Sequence, residues 1–425
     1  MNTIRRSRLA TLLTFVTMQT MAAGAQATET ESLGHMEAEI RWFPSSSPPP
    51  PPISGSKQKK SGAVLSVALK PEWKYLTKDR RHDFKIAPFV RYDAKDKERT
   101  HVDMRELYWT YKGDGWKLLT GINQVFWGVT ESHHLVDIIN QTDLIEDPDG
   151  EDKLGQPMIQ LTLALSRILE QEKTKRNWGK MTAFLMPGFR ERTYPGPKGR
   201  LGGPFMVDTK AATFRGGAGK DRIDLALRYS HSIGKWDIGL HYFHGNSREP
   251  RLTPRLTSRG LRLAPEYDLI NQVGADIQYT DDAWLWKFEG IVREGHGDTF
   301  GALVAGLEYT FFQPFKTWDV GLLAEYLHDD RDQNRAPKTI ADNDIFLGTR
   351  LSFNDVQNTQ LLAGIVSDLD TDAYTFNLEA ERRLTNNISA ELFARLFDGG
   401  DASSGNMLPG IEKDDYIQLS VFYHF

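Results

Sequence analysis

The sequence predicts an all-β fold, a transmembrane antiparallel β-barrel of about 18 strands behind a signal peptide, and three observations predict it. Apolar and polar residues alternate with a period of two along most of the chain, a pattern helices cannot produce. Aromatic residues gather near strand ends, as at Trp236, Tyr279, Trp284, Trp286, Tyr309, Phe311 and Trp318. Short and long connections alternate, and the last strand ends on an aromatic residue, Phe425.

Composition narrows the field from the other side. The 425 residues carry 52 Lys and Arg against 57 Asp and Glu, so a basic nucleic-acid partner is a poor fit. The absence of cysteine excludes disulfides, thiolate metal sites, iron–sulfur clusters and covalently attached haem. After the first few dozen residues, no stretch approaches the roughly 20 consecutive apolar residues of a spanning helix.

Residues 1–27 read as a secretory signal. Arg5, Arg6 and Arg8 form a positive start, Leu9 to Met21 a moderately apolar run, and Ala25-Gln26-Ala27 a small-x-small cleavage pattern. The mature chain, 28–425, then reads as strands at Met36–Phe43, Val64–Tyr75, Phe84–Asp93, Asp103–Lys112, Lys117–Trp127, Ile159–Arg167, Lys180–Gly188, Ile223–Ser230 and Trp236–His244. The second half continues with Gln272–Thr280, Trp284–Arg293, Ala302–Phe311, Trp318–His328, Ile345–Phe353, Gln360–Val366, Tyr374–Arg382, Ser389–Phe397 and Tyr416–Phe425. In the last of these Ile417, Leu419, Val421, Tyr423 and Phe425 share one face, and Gln418, Ser420, Phe422 and His424 the other. A soluble sandwich would give similar alternation. The aromatic girdle and the alternating loop lengths favour a barrel with lipid on one face and a polar lumen on the other. A barrel of this size is wide enough for an aqueous channel.

With the C-terminus periplasmic, the long segments Pro44–Ser61, Val129–Pro157, Phe189–Arg222, Gly245–Tyr267 and Asp398–Lys413 fall outside the cell. The first contains the stiff polyproline run Pro48 to Pro52. The second is acidic, with Asp137, Asp143, Glu146, Asp147, Asp149 and Asp152 around an amphipathic middle, Leu135 to Leu144. A connection this long is uncommon without a job. A lumen-folded constriction through Asp137, Asn140, Asp143 and Glu146 is one reading. Calcium held by Asp147, Asp149 and Asp152 is another, although the EF-hand pattern is not met. A solvated surface loop is the third. The loops at 189–222 and 245–267 are basic, with Arg190, Arg192, Arg200, Arg215, Arg248, Arg251, Arg255 and Arg259 among others. They suit lipopolysaccharide phosphates or an electrostatic funnel for an anionic solute.

The lumen face expected from the alternation carries Lys85, Arg91, Arg228, Lys287, Arg293, Arg350 and Arg395 against Glu106, Asp276, Glu289, Glu325, Glu379, Glu381 and Glu391. The signs balance, so no ion preference follows, and cross-strand pairing is the structural reading of each residue. His133, His134, His241, His244 and His328 followed by Asp329 and Asp330 do not single out a catalytic triad. No enzyme and no cofactor are expected.

Gln124-Val-Phe-Trp127-Gly128, followed by Ile139-Asn140-Gln141-Thr142-Asp143, resembles a group of proteobacterial outer-membrane porin-like barrels related to alginate-export-type channels. In that group a strand ends in Trp-Gly and an Asn-containing segment folds inward. The resemblance implies a channel in the bacterial outer membrane. The expected function is passive passage of small polar or anionic solutes. An export conduit for a polysaccharide or amphiphile, a surface enzyme and an adhesin stand as alternatives. Expected partners are outer-membrane lipid and lipopolysaccharide, a small solute or exported polymer, and the barrel-assembly machinery during biogenesis.

Overall fold

The computed structural model describes residues 27–169, 177–339, 341–399 and 411–425. Nearly all of the expected signal segment lies outside the described residues. Among these, the chain forms β1 (Ala27–Phe43), β2 (Gly62–Thr77), β3 (His82–Asp93), β4 (His101–Lys112), β5 (Trp116–Asn123), β6 (Gln156–Ala164), a one-turn helix α1 (Leu165–Leu169), β7 (Lys180–Pro187), β8 (Thr213–Arg215), β9 (Ile223–Ile233) and β10 (Trp236–Asn246). It continues as β11 (Arg251–Thr257), β12 (Gly260–Asp281), β13 (Trp284–Glu294), β14 (Phe300–Phe315), β15 (Trp318–Asp329), β16 (Asn343–Ser352), β17 (Gln360–Asp368), β18 (Tyr374–Arg383), β19 (Ile388–Asp398) and β20 (Tyr416–His424).

Eighteen of these strands make one closed antiparallel wall. Each pairs with the next in sequence, and β1 closes the ring against β20 from His35↔His424 to Trp42↔Ile417. The short strands β8 and β11 stand off the wall. They pair with an overhang of β12, at Glu266↔Thr213 and from Arg251↔Glu266 to Thr257↔Gly260. Closure leaves no unpaired edge, which is the condition for strands to cross a hydrocarbon layer.

The outward face is the apolar one. Met36, Ile40 and Trp42 on β1, Leu65, Val67 and Leu69 on β2, and Ile417, Leu419, Val421 and Tyr423 on β20 are all exposed. Ring pairs crowd the end that carries the short turns: Trp236 with Tyr279 and Trp284 with Tyr309 at 4.6 Å, and Trp318 with Phe353 at 4.5 Å. Amphipathic rings at one level around a barrel match the height of lipid headgroups. The tightest turns at this end use positive φ, as two-residue hairpins require: Gly234 at 62° and Asp282 at 50°.

The wall departs from the sequence-based expectation at three places. The fifth strand stops at Asn123, so Trp127 belongs to the following loop. The sixth ends at Ala164 and turns into α1, which takes Arg167 out of the strand. Residues 251–268 form a hairpin continuous with β12 and not an open loop.

Candidate constriction of the lumen

Thirty-two residues, 124–155, connect β5 to β6, and they fold into the barrel. The apolar side chains Leu135, Val136, Ile138 and Ile139 are buried against inward-facing Phe243, Ile270, Ile291, Val304, Leu323 and Phe346. Trp127 lies beside Phe184 and His241, with the Arg228 guanidinium 4.7 Å above its ring. An amphipathic segment with its own buried stripe gains from this packing what a surface loop would forgo.

Polar contacts carry the same segment across the lumen. On β13, Glu289 accepts hydrogen bonds from the amides of Val129, Thr130 and Val136 and from the Thr130 hydroxyl. On β15, Glu325 accepts from the amides of Glu131 and Ser132 and from the Ser132 hydroxyl. The Glu131 carboxylate reaches Lys287 at 3.2 Å and Arg350 at 2.8 Å. At the other end, Glu146 meets Arg91 of β3 at 2.7 Å, and Asp147 and Asp149 both meet Arg395 of β19. Arg41 and Arg99 donate to the carbonyls of Glu146 and Ile145. With the short β8 and β11 left out of the wall, β3 is the third strand and β15 the thirteenth of eighteen, so the contacts lie on opposite sides of the barrel.

Within the segment, Asn140 acts as a staple. Its carbonyl oxygen accepts from the Val125 amide, and its amide group donates to the carbonyls of Asn123 and Leu154. Gly155 returns the chain to the wall so closely that a Cβ there would collide with the Arg105 carbonyl oxygen. Asp137 is buried with one cation, Lys153, at 3.0 Å, and burial pushes its carboxyl above the usual carboxylate range. Burial opposes the charge on His134 too, but Glu289 at 3.7 Å, with Glu151 and Asp137, outweighs it and raises the imidazole above its ordinary value. Burial also works against Glu249, in the loop after β10, yet Arg293 and Arg331 hold it well below the carboxylate range.

The remaining sequence-derived residues take these positions. Lys85 pairs with Glu106 and with Glu72, and Arg228 pairs with Asp276 at 2.8 Å. Arg293 donates to Gln272. Glu379 and Glu391 face inward on β18 and β19, and Glu391 stands directly opposite Glu381. Asp147 and Asp149 are drawn to Arg395 and do not converge with Asp152 into a cage. The grouping with ligand-like spacing is instead His101, Asp143 and Glu146. The basic loops are largely spent on in-chain acids: Arg190 on Asp103, Arg200 on Asp414, Arg215 on Glu266, Arg248 on Asp224 and Arg251 on Asp268. Arg255 and Arg259 are exposed at the β11–β12 hairpin.

Sequence reasoning missed Arg41 and Arg99, both deeply buried, the burial of Arg248, and the inward apolar residues of β10 to β16. Beneath the segment, a cavity of about 500 Å³ is lined in part by His35, Lys70, Glu72, Arg105, Gln124 and Asp152. No family model and no curated protein matches the chain. Among solved structures, OpdQ of Pseudomonas aeruginosa is similar in fold, with a TM-score of 0.51 at 9% identity over 93% of this chain and 96% of that one. A mutant of the Rh. blastica porin gives a TM-score of 0.44 at 9% identity, over 93% of this chain and 100% of that one. OmpT, an outer membrane protein of Vibrio cholerae in its trimer form, gives 0.42 at 9% identity, over 93% and 99%.

Proposed function

We propose that the protein is a bacterial outer-membrane channel giving passive passage to small polar or anionic solutes, narrowed by the 124–155 segment. One observation carries this reading: a single connection reaches from β3 and β19 on one side to β13 and β15 on the other, inside a closed wall. Solutes would pass on the side lined by Lys85, Arg91, Glu106, Glu379, Glu391 and Arg395, where polar side chains and the 500 Å³ cavity lie. Arg255 and Arg259 at the hairpin tip would meet lipopolysaccharide phosphates.

The alginate-export resemblance suggests a polyanion as cargo. A polyanion path needs a run of unspent cations, and many of the inward cations here sit beside carboxylates, as in Lys85–Glu106, Arg228–Asp276 and Arg350–Glu131. Small solutes therefore fit better. Export of a polymer is the second reading, favoured by the segment's contacts on both sides of the lumen.

Planar-bilayer recording tests the choice. Wild-type protein is expected to give small discrete openings, and deletion of 129–152 to raise their conductance severalfold. A deletion variant that still gives no ion-permeable openings overturns the channel reading. A silent wild type with a conducting deletion variant favours the export conduit.

A further inference from the structure

His101 begins β4 and faces the lumen beside the acidic end of the crossing segment. Its Nδ1 lies 3.1 Å from the backbone carbonyl of Arg99. A carbonyl oxygen only accepts, so Nδ1 carries a proton, and in the neutral form of the ring that tautomer leaves Nε2 as a lone pair. That lone pair faces Asp143 Oδ2 at 3.9 Å and Glu146 Oε1 at 3.8 Å. Nε2 and Glu146 Oε1 are both buried without a hydrogen-bond partner, and Glu146 is only 3% exposed. Two buried atoms without a partner, His101 Nε2 and Glu146 Oε1, thus converge with Asp143 Oδ2, which Arg105 engages from the other side.

The outer contacts are those of a prepared ligand set. Arg91 holds the second oxygen of Glu146 at 2.7 Å. Arg105 holds Asp143 Oδ2 at 2.5 Å, and the Thr193 hydroxyl donates to Oδ1 at 2.6 Å. A metal-binding histidine typically donates its other ring N–H to a carbonyl, and ligating carboxylates are themselves hydrogen-bonded. The three candidate ligand atoms lie within 4.8 Å of one another. On a tetrahedral ion with bonds of ~2.1 Å, ligand atoms sit ~3.4 Å apart, so the two histidine pairs must draw in by about half an ångström and the carboxylate pair by up to about 1.4 Å.

We propose that His101, Asp143 and Glu146 bind one divalent transition-metal cation of the zinc type, riveting the lumen segment to the wall. One imidazole and two carboxylates with a fourth place for water suit zinc. Calcium, which takes six to eight oxygens, is poorly served. The site stands independently of the channel reading, since it requires only the contacts between β4 and the segment.

Tag-free full-length protein in detergent, stripped with EDTA and titrated with ZnCl2 by calorimetry, tests it, with bound metal counted by mass spectrometry. One equivalent is expected at micromolar affinity or tighter, with CaCl2 at millimolar concentration failing to displace it. His101→Ala and Glu146→Gln are each expected to weaken binding at least tenfold. His101→Gln serves where His101→Ala does not assemble, as judged by heat-modifiable migration. Absence of saturable zinc binding in the wild type overturns the proposal. So does full affinity in the His101 variant, which would move binding to Asp147, Asp149 and Asp152, and so does equal competition by calcium.

Discussion

The two halves of the lumen wall hold the same segment by different physics. From β9 to β16 the inward face carries an apolar band, on which Val136 and Ile139 sit against Phe243, Ile270, Ile291 and Val304, flanked by Glu289 and Glu325, which accept from the segment's amides. From β1 to β4 and on β19 and β20 it is charged, and Glu146, Asp147 and Asp149 sit among Arg41, Arg91 and Arg395. Apolar packing does not respond to salt or pH, and its cost on opening is the exposure of oily surface to water. Ion pairs can exchange one carboxylate for another or for water. The contrast separates a side where buried apolar area helps hold the segment from a side where ion pairs hold it.

The largest effect is expected where a buried cation is removed from several acids at once. Arg91 meets Glu37 at 2.8 Å, Glu39 at 3.2 Å and Glu146 at 2.7 Å, and its side chain is 3% exposed. Arg91→Ala strands Glu37 and Glu146 in a dry setting, while Glu39 keeps Arg41 and Arg99, a loss of about 3–5 kcal/mol. Denaturant titration in detergent should show the drop, and bilayer recording should show more frequent openings. An unchanged midpoint would mean that water already reaches this network.

Packing on the other half gives the next effect. Ile139 is fully buried in the apolar cluster, and Ile139→Ala is expected to cost about 2–4 kcal/mol. The comparison sharpens when both variants are measured at about 0.1 M and about 1 M salt. Salt screens charges that water reaches and buried pairs much less, so wild type should lose only a small part of the Arg91-dependent increment and none of the Ile139-dependent one. Equal salt dependence in both variants would break the division between the halves.

This division was only half legible in the residues. The barrel and its count were readable because lipid imposes a strict period of two on the outward face. The charged half was readable for the same reason, with Lys85, Arg91 and Arg395 each between two apolar neighbours. The apolar half was not, because a lumen was expected to be polar throughout. Its signal is the apolar doublet, two adjacent residues of which one faces lipid and one faces inward: Tyr242-Phe243, Ile291-Val292, Leu322-Leu323 and Phe346-Leu347. Such doublets interrupt the alternation and read as noise until a second apolar surface, Leu135 to Ile139, is there to cover them. The partners of the basic loops were illegible for another reason. Arg200 with Asp414 is a pair made by the closed ring, between residues far apart in the chain, and Arg248 with Asp224 is made by the register of β9 on β10.

The smallest expected effect is a pH dependence at the junction between the halves. His134 belongs to the segment, with its Nδ1 3.7 Å from Glu289 on the apolar side and its Nε2 4.0 Å from the Glu151 carboxylate. Asp137 lies near it in the same segment, and His133 beside it is lowered by burial and so stays neutral. Because the seated segment raises the His134 pKa above 6.5, the imidazolium clamp is fully present below that value. It is lost as pH rises through the raised one. Asp137 acts in the same direction, since burial raises its pKa and its charged form appears as pH climbs. Protease cleavage within 129–152 should therefore accelerate a few-fold between about pH 6 and about pH 8, and His134→Gln should flatten the part of the profile that belongs to the imidazole. A wild-type profile that is flat, or that slopes the other way, would take the clamp away from His134 and leave the seating of the segment to Glu289, Glu325 and the apolar stripe.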